Sequence, residues 1–332
     1  MPRVSVIMPA YNAEKYIAQS MDSILGQSFR DFEFIVLNDC SKDRTEEIIL
    51  SYGDPRIVYL KNEKNMGVAA TLNKGLAVAK GEYIARMDAD DISMPERLDM
   101  QVAYLDAHPD AAVVGTNLER FSEGMPTEPR CFSAVPAQMK VDLLFSCGLA
   151  HPSVMMRRRA IEDVGGYDME FEGLEDYELW CRTAEKYDVT VVPQMLFRYR
   201  VHPGQVTKNP SEKYLSRMRR LKDRQLEQLG LPVQGELAEV YFDFCIGKRP
   251  QDIEKGMLLA RFLESAAAAN DNTAVYDAGM LRSTFRSVLL GLAARLSKDE
   301  GRLLCRETTL ITTADLRTLR LKSALKRLLG RK

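Results

Sequence analysis

Between residues 4 and 105, apolar runs of strand length alternate with apolar stripes at helical spacing, and this alternation restricts the fold more than any other feature. Val4-Ser5-Val6-Ile7-Met8 ends at Pro9, and residues 34–37, 57–60 and 83–87 repeat the pattern. Short continuous apolar runs of this kind are expected of strands covered on both faces. Between them Ile17, Met21, Ile24 and Leu25, then Ile48, Ile49 and Leu50, then Val68, Leu72, Leu76 and Ala79 fall at helix spacing. Asn12 is read as the cap of the first helix and Asp43 with Glu46 as a capping box for the second. Ser93, Pro95 and Glu96 start a further helix, with Leu98, Val102 and Leu105 inward. The result is an α/β fold with a mostly parallel central sheet. Ligands of such sheets lie at the carboxyl ends of the strands, so the loops after residues 8, 37 and 87 are the informative ones.

From residue 112 to 205 the pattern loosens into short strands and one helix, 174–186; from 211 onward it reads as helices. At ~150 residues per domain, a chain of 332 residues suggests two parts, 1–210 and a helical C-terminal extension at 211–332. Charge divides the same way. Residues 1–210 carry 23 Lys and Arg against 32 Asp and Glu, a net of −9; residues 211–332 carry 23 against 15, a net of +8. No apolar stretch approaches the ~18 residues of a spanning helix, and Met1-Pro2-Arg3 leads into a strand rather than a signal peptide. The six cysteines form no CxxC pair, so reduced thiols in a cytoplasmic protein are expected.

Asp88-Ala89-Asp90-Asp91 follows the strand ending at Met87. If the strand period persists, Asp88 and Asp90 point the same way, an arrangement that repels itself unless a cation binds between them. Oxygen ligands suit Mg or Mn; a solvated acidic turn is the alternative, and Asp91 fits that role. Asp39, just past the second strand, is placed either to accept from a nucleobase or ribose or to serve as a turn residue. Asp176 sits in the first turn of the 174–186 helix, where the helix dipole favours acids; the functional reading makes it a general base. His202 follows Tyr199-Arg200-Val201 and could reach a metal at the same edge, although a lone histidine is more often structural.

Taken in order, these segments resemble the family 2 glycosyltransferases of the GT-A fold. The matching stretches are Val4 to Asn12, Asn38-Asp39-Cys40-Ser41-Lys42-Asp43, Asn65-Met66-Gly67, Leu72-Asn73-Lys74-Gly75 and Gly81 through Asp91. They continue with His151-Pro152-Ser153-Val154, Gly165-Gly166-Tyr167-Asp168, Glu175-Asp176-Tyr177 and Tyr199-Arg200-Val201-His202. Cys40 departs from the family, where an Asp-Gly-Ser turn is commoner. The resemblance implies a GT-A type nucleotide-binding sandwich in which Pro9, Ala10, Tyr11 and Asp39 face the nucleoside and Asp88 lies near the ribose. Asp90, with Asp88 and His202, is implied to hold a divalent cation, Mn or Mg, and Asp176 to be the catalytic base.

The implied reaction is an inverting transfer from a nucleotide-sugar donor, UDP-linked, to a hydroxyl of a glycan or lipid-linked acceptor in surface polysaccharide biosynthesis. A nucleotidyltransferase would call for a Gly-rich loop where Pro9-Ala10-Tyr11-Asn12 stands, and a non-catalytic glycan- or nucleotide-binding relative would be expected to lack one of Asp88, Asp90 and Asp176. Leu and basic residues alternate over 317–332, a candidate amphipathic helix for peripheral contact with the cytoplasmic face of a membrane; a solvated helix packed by its Leu face is the alternative. The tail has no aromatic interleaving and the front half is acidic, so no nucleic-acid partner is expected.

Overall fold

A computed structural model describes residues 1–122, 124–202 and 211–319. The chain divides into two compact units, one of residues 1–143 and 147–217, the other of 144–146 and the chain from Met218 onward. The first holds strands β1 (Val4–Ala10), β2 (Phe32–Asn38), β3 (Ile57–Lys61), β4 (Tyr83–Arg86) and β5 (Ile92–Ser93), with helices α1 (Ile17–Leu25), α2 (Thr45–Leu50), α3 (Val68–Val78) and α4 (Arg97–Ala107). It continues with β6 (Ala111–Phe121), β7 (Glu128–Arg130), α5 (Pro136–Asp142), β8 (Met155–Arg157), α6 (Arg158–Asp163), α7 (Glu175–Thr183) and β9 (Asp188–Arg200). Helix α8 (Glu212–Gln228) begins in this unit.

Among the described residues the strands form one sheet in the order β3-β2-β1-β4-β8-β6-β9-β5, with β7 beside β6. The sheet is parallel through β3-β2-β1-β4 and between β6 and β9, and antiparallel where β8, β5 and β7 pair, so as a whole it is mixed. The strand period sorts the core. Val4, Val6, Met8 and Ala10 of β1 pack with Phe34, Val36 and Ala85 against Ile17, Met21 and Ile24 of α1 and Leu98 and Val102 of α4. Ile7 and Leu37 point to the other face and meet α3 so closely that a Cβ on Gly75 would stand 2.7 Å from the Ile7 Cγ2. Any larger residue there forces α3 off the sheet, a change that typically costs ~1–3 kcal/mol.

Several local expectations change. Asn12 does not cap α1, which begins at Ile17 without a side-chain cap. Its backbone holds φ +48°, its Oδ1 accepts from the Lys42 amide at 2.8 Å and its own amide donates to Ser41 Oγ at 3.0 Å, so it ties the β1 loop to the β2 loop. Asp43 and Glu46 form no capping box. Asp43 accepts from the amides of Glu14 and Thr45, while Glu46 takes Lys61 and the Tyr59 hydroxyl. In the stretch expected to hold only short strands, residues 188–200 form one long strand, β9. Between Thr116↔Val192 and Asn117↔Met195 the register slips, and this bulge absorbs Pro193, whose missing N–H suits an irregular position. Asn117 Nδ2 donates to the Pro193 carbonyl at 2.8 Å and pins it.

The second unit contains the remainder of α8 with α9 (Glu236–Cys245), α10 (Ile253–Thr273), α11 (Ala278–Arg295) and α12 (Lys298–Glu307). Tyr241 stacks on Phe262 with centroids 4.4 Å apart, and Phe145 meets Tyr241 and Phe285 edge-on. The Leu144 carbonyl accepts from the buried Lys222 Nζ and the Tyr241 hydroxyl, each at 2.6 Å, so this apolar unit contains no isolated charge at that point. Residues 313–319 are helical, with Leu316 buried; the basic tail beyond 319 lies outside the described residues. Among the described residues no helix is long and apolar enough to cross a membrane.

Candidate active site

Parallel pairing of β1 with β2 and β4 brings three carboxyl-end loops to one edge of the sheet. The Asp39 amide donates to the Ala10 carbonyl at 2.8 Å, which joins Pro9-Ala10-Tyr11 to the Asp39 turn. Tyr11 is half exposed there. Cys40 turns the chain at φ +63°, a left-handed conformation that glycine adopts more readily than an L-residue. The Asp39 side chain is buried. Its Oδ1 accepts from Asn62 Nδ2 and the Met66 amide, both at 2.8 Å, and its Oδ2 from the Gly67 amide at 3.0 Å. A carboxylate has about four acceptor directions, and three of those of Asp39 are taken by Asn62 and the 65–67 loop.

Beyond β4 the acidic run forms a cluster. Ligand oxygens of Asp88, Asp90 and Asp91 lie within 4.8 Å of one another. His202 brings Nε2 to 2.9 Å from Asp90 Oδ2 and tilts its ring against Tyr16. Burial, and then the neighbouring Asp88, push the Asp90 carboxyl up from its ordinary range, while His202 pulls it back. Asp91 is driven well up by burial and by the charges of Asp88 and Asp90. Its Oδ1 accepts from the Arg200 amide at 2.7 Å, but its Oδ2 is buried with no hydrogen-bond partner. Crowded carboxylates, an orphaned buried oxygen and an imidazole within reach suit a hard divalent cation, which would replace the His202–Asp90 hydrogen bond.

Asp176 opens α7. Its Oδ1 accepts from the Tyr177 amide at 2.7 Å, and its Oδ2 lies 3.9 Å from Cys147 Sγ. Burial raises its carboxyl above the usual range; the Tyr177 amide and the charge of Arg86 oppose that. Glu175 next to it is pushed up to about 7 by burial and by Asp176. Arg86 links the two acidic groups. It is buried at the end of β4, its Nη1 is bonded to Asp88 Oδ1, and its field reaches Asp176. The structure thus gathers Asp88, Asp90 and His202 at one point, sets Asp176 within the field of the same arginine, and joins Asp39 to Ala10 and the 65–67 loop.

Three participants lie within the matching stretches, but the sequence assigns them no role at the site. Asp91 is buried rather than a solvated cap. The expected strand period does not carry through the run: β4 ends at Arg86 and residues 89–90 are a turn, so the three acids converge through that turn and not through alternation along a strand. Arg200 lies between the rings of Tyr16 and Phe121, 4.4 and 4.5 Å from their centroids, and donates to the Asp90 carbonyl at 2.6 Å. Nothing local to the sequence announces that, because its partners are 110 residues or more away in several cases. Arg86 reads from sequence only as a charged residue at a strand end.

Residues 5–165 match the profile described as Glycosyl transferase family 2. The putative glycosyltransferase EpsE of Bacillus subtilis is 38% identical over 190 residues, spanning 56% of this chain and 68% of that protein. WfgD of Escherichia coli, a UDP-Glc:alpha-D-GlcNAc-diphosphoundecaprenol beta-1,3-glucosyltransferase, is 30% identical over 241 residues, 72% of this chain and 90% of that one. The crystal structure of S. aureus TarS residues 1–349 in complex with UDP-GlcNAc shares the fold, with a TM-score of 0.56 at 19% identity over 97% of this chain and 92% of that one. Sequence relatives of this closeness, together with that fold, make the chain a member of the family 2 glycosyltransferases.

Proposed function

We propose that the first unit is the catalytic domain and that it moves a sugar, with inversion, from a UDP-linked donor to a hydroxyl of a lipid-linked glycan in surface polysaccharide assembly. The observation that carries this reading is the convergence of Asp88, Asp90 and Asp91 at the carboxyl end of β4, with His202 beside Asp90. Asp90, His202 and Asp88 would hold Mn or Mg, which when bound supplies charge neutralisation for the departing diphosphate. Half-exposed Tyr11 offers its ring to the base, and Asp39 accepts from the nucleoside. Asp88, fixed by Arg86, faces the ribose. Asp176 takes the proton of the attacking hydroxyl, and its raised affinity for that proton favours the transfer. A base opposite the leaving group implies in-line attack and hence inversion.

The UDP donor is supported by what the name of WfgD and the TarS complex with UDP-GlcNAc state for those proteins, and the lipid-linked acceptor by the name of WfgD. The basic tail fits peripheral contact with the membrane that carries such an acceptor. Thermal shift and donor hydrolysis with UDP-glucose, UDP-GlcNAc and GDP-mannose, with and without Mn, test the reading. A Mn-dependent response confined to UDP sugars is expected. Absence of any nucleotide-sugar response with Mn present would overturn it. Anionic vesicles should bind the full chain at low salt and release it when 312–332 is deleted; indifference to vesicles removes the membrane contact.

A further inference from the structure

Four consecutive backbone amides, Met66 to Ala69, are divided between two carboxylates from distant parts of the chain. The first two donate to Asp39 at 2.8 and 3.0 Å. The next two donate to the two oxygens of Glu172, Val68 at 2.7 Å and Ala69 at 3.1 Å. Glu172 therefore closes the amino end of α3 in a bidentate manner, a role usually filled by a residue adjacent in sequence. Gly67 is the hinge between the two sets. It sits at φ +83°, and a Cβ on it would stand 2.7 Å from Glu172 Oε1. On its other side the segment carrying Glu172 is held by Arg217, which donates to the carbonyls of Glu170, at 2.8 Å, and Glu172. The next residues are Gly173, whose amide binds the Glu175 carboxylate, and Asp176. Further along, α3 grips the same segment again, with Asn73 Nδ2 donating to the Tyr167 carbonyl at 2.7 Å and Asn73 Oδ1 accepting from the Tyr167 amide at 3.0 Å.

We propose that Glu172 is a positioning residue that couples the nucleoside side of the site, Asp39 and the 65–67 loop, to the placement of Asp176. The inference rests on the roles given to Asp39 and Asp176 above. The two oxygens of Glu172 set the path of the amides that orient Asp39, and its backbone fixes the start of the turn into α7. Loss of one shared cap bond loosens both ends at once, and a cap is worth roughly fivefold in a local equilibrium.

Glu172→Gln keeps one acceptor oxygen and with it most of the fold. Hydrogen exchange on the full chain is expected to rise at residues 66–69 and 173–177 together. UDP affinity with Mn present, measured by calorimetry, should fall about fivefold, and kcat for hydrolysis of saturating UDP-glucose about tenfold. Faster exchange at 66–69 with 173–177 unaltered would overturn the coupling, as would weaker UDP binding with kcat within about twofold of the parent. A parent protein that binds no UDP refutes the donor assignment instead, and the exchange pattern alone then decides the coupling.

Discussion

Glu175 offers a test in which size and sign both follow from the structure. It is buried, its Oε2 accepts from the Gly173 amide, and burial together with Asp176 raises its carboxyl from 4.5 to about 7. At ~1.4 kcal/mol for each tenfold change in proton affinity, the folded chain prefers the protonated acid by about 3 kcal/mol. A raised folded-state value contributes stability that is complete below about 4.5 and is lost as pH rises through about 7. Glu175→Gln keeps a carbonyl for the Gly173 amide and removes the ionisation. The variant should therefore gain about 2–3 kcal/mol over the parent between pH 5 and pH 8. Trp180 is the sole tryptophan and lies buried in α7, the helix that Glu175 begins, so urea unfolding followed by its fluorescence reads the relevant unit. The midpoint difference should widen by about 1 M urea over that range. In an Asp176→Asn background the widening should shrink, because one of the two causes has gone. A stability difference that is the same at both pH values refutes the reasoning.

Asp176→Asn should leave UDP binding intact and lower turnover by ~10²–10⁴, the usual worth of a general base; near-normal turnover removes Asp176 from the role. Asp90→Ala should abolish the Mn-dependent part of donor binding in calorimetry, and unchanged binding counts against the cation site. Cys40→Gly relieves a left-handed backbone that costs an L-residue ~1–2 kcal/mol and adds ~0.5–1 kcal/mol of unfolded-chain entropy, for a net gain of about 0.5–1 kcal/mol. The same fluorescence-detected urea curve reads it, and a loss of stability contradicts the argument.

The first four parallel strands were legible because each is a short apolar run; β1, β2 and β4 are buried, and β3, at the end of the sheet, is half-buried. Two caps were not. Asn12 and Glu46 have the right residue type at the right spacing, yet each finds a partner across the sheet edge, Lys42 in one case and Lys61 with Tyr59 in the other. Tertiary hydrogen bonds outcompete local ones wherever two loops meet. The second half was harder for a similar reason. Pro193 looks like a strand terminator, but a bulge opposite Asn117 lets β9 run through it. At the site, Asp88, Asp90 and Asp176 stand next to recognisable elements, whereas Arg86, Glu172 and Arg200 act through backbone groups or residues far off in sequence.

On the proposed reading, the charges buried in this unit bear on why a metal and a diphosphate would arrive together. Burial holds Asp90, Asp91, Glu175 and Asp176 above the ordinary carboxyl range, with like charge adding to the effect at each. Three arginines, Arg86, Arg97 and Arg200, are buried in the same unit. Arg97 donates to the carbonyls of Arg86 and Pro152, and Arg200 to the carbonyl of Asp90. These guanidinium groups thus brace the backbone around the cluster, and the one ion pair among these contacts joins Arg86 to Asp88. Asp90 is paired with the imidazole of His202, and Asp91 accepts from the backbone amide of Arg200. A bare diphosphate approaching them would meet repulsion, and a bare site carries the self-repulsion of its own acids. A divalent cation relieves both, so donor affinity should depend on the cation far more steeply than on any single contact to the nucleoside.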